Sequence, residues 1–183
     1  ISTPNSLMPF FQIMAVRNGN NGNPGQWLLE LGKASLMETF FSLPGGDIVK
    51  FSKATEVQRD AILQNPLPIN KAPERNDLNF PVSETRIKHI TSGRPRRTEE
   101  VSHIYLSIPD NLVPFFQILA NSPRPGAWLL KLGKAELMEA SFDLPCGGVV
   151  EFSKTSQEER DLIKLMRMRI ESRQSGGTGP VAG

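Results

Sequence analysis

The sequence predicts an α+β protein made of two tandem ββββα repeats packed about a pseudo-twofold axis. Three observations carry this prediction. Residues Pro24 to Ile62 lie over Pro125 to Ile163 without a gap, with about 23 of 39 positions identical, which marks a duplicated structural unit. Inside each copy the apolar residues alternate with polar ones before the pattern lengthens to that of a helix. At the change of period, each copy carries a hydroxyl residue followed three positions later by an amide or acid: Thr55 with Gln58, and Ser156 with Glu159.

In chain order, Ser2 and Pro4 answer Ser107 and Pro109, and Ile1 stands where the second copy has Leu106, inside a strand expected around His103 to Ile108. The chain thus opens inside a repeat without an initiator methionine, and is read as a processed or trimmed product. Pro9 to Ile13 answer Pro114 to Ile118, and the stretch Pro109 to Ala120 fits either a short helix capped by Asp110 or a strand. Trp128 to Leu132 reads as a strand, turned at Gly133-Lys134-Ala135 into a second strand in which Met138, Ala140, Phe142 and Leu144 share one face. Met37, Thr39, Phe41 and Leu43 do the same in the first copy. Alanine, glutamate, leucine and methionine also favour helix over Lys134 to Ser141; the glycine and the alternation select strands. A Gly147-Gly148 turn leads to a third strand, Val149 to Phe152, and the capping box then opens a helix that Pro66 ends near Gln64 in the first copy and that runs to about Arg173 in the second.

Residues 1–64 therefore form repeat 1, truncated at its N-terminus, and residues 65–85, rich in proline, asparagine and charge, form a linker. Residues 86–174 form repeat 2, with a preceding short strand at Arg86 to Thr91 and a basic loop. Residues 175–183 have the composition of a disordered tail.

Composition sets outer bounds. The 183 residues are 38% hydrophobic, enough for a globular core, and contain no apolar run long enough to span a membrane as a helix. A net charge of +2 neither demands nor forbids a polyanionic partner, so any nucleic-acid surface must come from local clustering. The single cysteine, Cys146, excludes an intrachain disulfide framework, and two histidines, His89 and His103, do not make a usual zinc site. No phosphate-binding loop, dinucleotide fingerprint or serine elbow is present, which argues against an enzyme and against a bound cofactor or metal.

Four antiparallel strands and a helix in tandem resemble the superfamily of PUR proteins, plant Whirly proteins and kinetoplastid mitochondrial RNA-binding proteins. The junction Phe152 to Leu162, echoed by Phe51-Ser52-Lys53 and Arg59-Asp60, looks like the strand-serine-helix junction of PUR and Whirly repeats. Gly32 to Leu36 (GKASL) and Gly133 to Leu137 (GKAEL) are similar to the KGKAAL motif at the Whirly single-stranded DNA surface, with Leu31 and Leu132 in place of its first lysine. The resemblance implies single-stranded RNA or DNA as partner, contacts from Lys33 and Lys134, and a mitochondrial or other organellar location.

From the residues themselves, the cationic cluster Arg86, Lys88, Arg94, Arg96 and Arg97 is a candidate phosphate grip, weighed against a solvated loop offset by Glu99 and Glu100. Phe40 and Leu137, on the sheet face opposite the Met37 and Phe41 stripe, are candidate stacking residues, although Glu30, Glu38, Glu139 and Glu151 share that face. Trp27 and Trp128 read as core anchors. The function expected is non-enzymatic binding of single-stranded nucleic acid, RNA slightly ahead of DNA, by a homo- or hetero-oligomer. The alternative is a structural or assembly subunit that uses its sheets to bind protein.

Overall fold

A computed structural model describes residues 1–66, 100–145 and 147–165. In chain order the elements are β1 (Ser2–Pro4), α1 (Met8–Arg17), α2 (Pro24–Glu38), β2 (Phe40–Ser42), β3 (Ile48–Lys50), a 3-10 turn (Phe51–Lys53) and α3 (Glu56–Gln64). The order then recurs as β4 (Val101–His103), α4 (Val113–Ala120), α5 (Gly126–Glu139), β5 (Ser141–Asp143), β6 (Val149–Glu151) and a second 3-10 turn (Phe152–Lys154). A last helix, α6, covers residues 157–165 of the described chain. The protein is α+β, with small antiparallel sheets of two strands each.

The ββββα reading of each repeat is corrected at its first hairpin. The expected strands over Trp27 to Leu31 and Trp128 to Leu132, the GKA turns, and the first residues of the next strands are parts of the continuous helices α2 and α5. Alternation misled because Met37, Thr39, Phe41 and Leu43 straddle a helix end: α2 stops at Glu38 and β2 starts at Phe40. Within α2 the buried residues include Leu28, Gly32 and Leu36, a spacing of four that belongs to a helix face. Asn23 caps this helix, its Oδ1 accepting from Gly25 N at 3.0 Å and Gln26 N at 3.2 Å, and Pro24 follows where a missing N–H costs nothing. Gly133 is a close-approach residue, since a Cβ there would stand 2.2 Å from Leu28 Cδ2 and 3.4 Å from the Trp27 ring. The stretch after Pro109 resolves as helix α4, with Pro114 in its first turn.

Other expectations stand. Phe41 pairs with Val49 in β2–β3 and Phe142 with Val150 in β5–β6, and Gly46 and Gly147 close the two hairpins at φ of +86° and +87°. Both capping boxes form: Gln58 N donates to Thr55 Oγ1 and Thr55 N to Gln58 Oε1, while Glu159 N donates to Ser156 Oγ and Ser156 N to Glu159 Oε2. The expected linker beyond Pro66, the strand at Arg86 to Thr91, most of the basic loop, Cys146 and the helix beyond Leu165 lie outside the described residues.

The compact units do not follow the sequence copies. Among the described residues, one unit takes Ile1–Leu31, Ser102–Ser107 and residues 126–145 and 147–165; the other takes residues 32–66, 100–101 and Ile108–Pro125. In the first, Phe10 of α1 packs edge-on against Phe152 at 4.6 Å and Phe142 at 6.3 Å, beside Phe11 on Trp27 at 5.5 Å. In the second, Phe115 of α4 packs on Phe51 at 4.7 Å, and Phe51 on Phe41 at 6.0 Å. Each aromatic core thus joins the first helix of one copy to the hairpin and 3-10 turn of the other. These rings are all buried, so hydrophobic burial and edge-to-face contact act together.

Candidate nucleic-acid interface

Strands β1 and β4 form a two-stranded ribbon. The α-ammonium of Ile1 donates to Ile104 O at 2.8 Å and Ile104 N donates to Ile1 O at 2.7 Å, which sets an antiparallel register with these residues opposite one another. Alternation along the ribbon then sorts the side chains. Thr3 and Ile104 are buried on the inner face, while Ser2, His103 and Tyr105 are exposed, with Ser2 Oγ 3.2 Å from His103 Nδ1. Tyr105, the only tyrosine of the chain, is 86% exposed.

The ribbon rests against the first turn of α2. A Cβ on Gly25 would lie 2.1 Å from the Tyr105 carbonyl oxygen, so glycine is what allows the strand to approach this closely. Shallow grooves run here, one lined by Asn23, Gly25, Gln26, Leu29, Tyr105, Leu106 and Ser107, the other by Met8, Gln12, Asn23 and Ser102 to Tyr105 among others. The N-terminal amides of α2 are already used: Asn23 Oδ1 accepts from Gly25 and Gln26, and Asn23 O from Trp27. The helix end is therefore no phosphate cradle, and what the surface offers is an aromatic ring beside amide and hydroxyl side chains.

The sequence-expected residues scatter. Lys33 and Lys134 are half-buried within α2 and α5, not at hairpin turns, which removes the strand setting on which the likeness to the Whirly motif depends. Leu137 is fully buried in α5, so it cannot stack on a base; Leu28, Leu36 and Leu129 are equally buried. Trp27 is a core residue at 1% exposure, as expected, and Trp128 is half-buried. Phe40 is half-buried at the start of β2, opposite Lys50, whose ammonium pairs with Glu38. Arg86, Lys88, Arg94, Arg96 and Arg97 lie outside the described residues.

Several described cations serve the cores. Arg160 stacks over Phe152 at 4.7 Å and Arg59 over Phe51 at 4.9 Å; Arg17 lies 4.2 Å above Phe142 and donates to Ser141 O at 2.6 Å. Asp161, an exposed residue, is held below the usual carboxylate range by the hydrogen bond from Lys164 and, next, that from Gln157. Tyr105 was the residue sequence reasoning passed over. The signal lay in the strand already expected there, where His103 and Tyr105 alternate with Ile104 and Leu106.

No family model, curated protein or solved structure matches this chain. Among the described residues no cluster of histidine, cysteine, aspartate and glutamate could hold a metal ion, and no helix is long and apolar enough to cross a membrane.

Proposed function

We propose that the protein binds single-stranded nucleic acid, RNA ahead of DNA, without catalysing a reaction. The observation that supports this most is Tyr105, an aromatic ring 86% exposed on the outer face of a ribbon, beside exposed His103. Every base has a π-face, and stacking on such a ring contributes about 1 to 3 kcal/mol per base regardless of sequence. Charge for the phosphates is supplied by the sequence just ahead of β4, where Arg94, Arg96 and Arg97 precede Val101, with Arg86 and Lys88 further upstream. Phe40, half-buried at the start of β2, is a separate candidate ring.

A second reading, an assembly subunit, draws on the hairpins: Ile48 is 61% exposed in β3 and Val149 72% in β6, each on a two-stranded sheet. Titration of labelled single-stranded RNA, single-stranded DNA and duplex at about 50 and about 200 mM salt separates the two. The nucleic-acid reading expects single strands to bind ahead of duplex, with affinity falling steeply as salt rises. Absence of binding at the lower salt gives the place to the assembly reading.

A further inference from the structure

The aromatic contacts run in both directions between the two sequence copies. Phe10 of α1 packs on Phe152 at 4.6 Å, and its counterpart Phe115 of α4 packs on Phe51, the counterpart of Phe152, at 4.7 Å. Copy 1 thus gives copy 2 what copy 2 gives copy 1. Such reciprocity is the contact pattern of an isologous interface between two like chains. Other contacts that close the first unit also join the copies: Arg17 donates to Ser141 O at 2.6 Å, Gly25 of α2 admits the Tyr105 carbonyl, and Leu28 of α2 fills the space that Gly133 of α5 leaves.

None of these contacts requires the two copies to belong to one molecule; only the connection through residues 67–99 does. We infer that the chain exchanges repeats with a second copy of itself, copy 1 of each molecule pairing with copy 2 of the other. The partner is specified by the cores themselves, since each already consists of a helix from one copy and a hairpin and turn from the other. Every contact of the monomer recurs in the exchanged dimer, so no new complementary surface is needed, and exchange of this kind is a low-cost route to a dimer. Concentration decides between the two forms, against the effective concentration that the covalent connection supplies, on the order of 1 mM for a flexible one. The exchanged dimer carries two β1–β4 ribbons and so two exposed Tyr105 rings. This holds whatever the ribbon binds.

Two full-chain variants test this: Phe10→Ala, which damages one aromatic core, and Phe115→Ala, which damages the other. When the two exchange with each other, one pairing carries both substitutions and the other carries neither. Unfolded together in urea and refolded as a mixture at about 0.5 mM, near that effective concentration, they are expected to yield a transition at the parent's thermal midpoint that neither variant gives when refolded alone. A variant that does not fold alone leaves the test intact, because the rescued pairing has the parent's residues throughout. The parent, refolded at about 5 μM and at about 0.5 mM, is expected to show by sedimentation a dimer-to-monomer ratio that rises in proportion to the free monomer. A mixture without a parent-like transition, even where a dimer forms, or a parent that stays monomeric after refolding at the higher concentration, overturns the inference.

Discussion

Phe10 stands 4.6 Å from Phe152 with the two rings inclined at 65°, and the equivalent pair, Phe115 and Phe51, repeats this at 4.7 Å and 68°. Each pair joins a helix of one sequence copy to the 3-10 turn of the other. Sequence duplication has produced two aromatic cores with the same internal geometry, each assembled from both copies.

Truncating either helix ring should therefore destabilise the fold by opening the hairpin core of the other copy. Phe10→Ala and Phe115→Ala are each expected to cost about 3 to 5 kcal/mol in urea unfolding. A loss below about 1 kcal/mol in both would contradict the packing described.

Gly133→Ala sets two effects against each other. Alanine is favoured over glycine in a helix by about 1 kcal/mol, but its Cβ would meet Leu28 Cδ2, itself fully buried, at 2.2 Å. Overpacking of this kind costs about 1 to 3 kcal/mol, so a net loss of stability is expected. Pairing the change with Leu28→Ala should show strong non-additivity, because the second substitution removes the clash. A stabilised single variant would mean the helices are not in contact there.

The capping boxes offer a smaller and more uniform effect. Thr55→Ala and Ser156→Ala should each lower stability by about 1 kcal/mol, as measured by thermal unfolding. Their equality is the point of interest, since the two boxes have the same geometry in both copies.

How much was legible in the sequence follows from which signals were local. The caps at Thr55 and Ser156, the hairpin turn at Gly147, and Trp27 as a core anchor depend on nearby residues and were readable. The helices α2 and α5 were not, because Gly32 and Gly133 look like turn residues in sequence, whereas Gly133 sits within α5 where Leu28 leaves no room for a Cβ. For the same reason the sequence pattern puts Leu137 on an exposed sheet face, whereas helical spacing buries it. The exchange of α1 and α4 between the hairpins rests on contacts far apart in sequence, about which periodicity is silent. At the candidate site, the basic cluster was visible as composition, whereas the exposure of Tyr105 depends on β1 pairing with β4.

On the acid side, Asp161 gives a signed expectation. Its carboxyl is lowered from 3.8, first by the hydrogen bond from Lys164. A lowered folded-state value means its contribution is present above the unfolded value and is lost as pH falls through the folded one. Asp161→Asn should remove that part of the acid-side pH dependence of the thermal midpoint while leaving the neutral-to-basic side unaltered in shape.

Gly25→Ala should act on the ribbon rather than on the cores. The Tyr105 carbonyl must move to admit the new Cβ, so hydrogen exchange at Ile104 is expected to accelerate while exchange in β5–β6 stays as in the parent. Gly45→Ala, where nothing lies within 4 Å of an added Cβ, is the matched control and should change neither.

The most direct test of the central proposal is the salt-dependent affinity of Tyr105→Ala for single-stranded RNA, beside that of the triple variant Arg94→Ala, Arg96→Ala, Arg97→Ala. Loss of the Tyr105 ring is expected to weaken binding by about 1 to 3 kcal/mol with the salt slope unchanged, because stacking releases few counterions. The triple variant is expected to flatten that slope by up to about 2, at roughly 0.7 per phosphate contact on a single strand. Binding by Tyr105→Ala equal to that of the parent, or a parent that binds no single strand at low salt, would contradict the account.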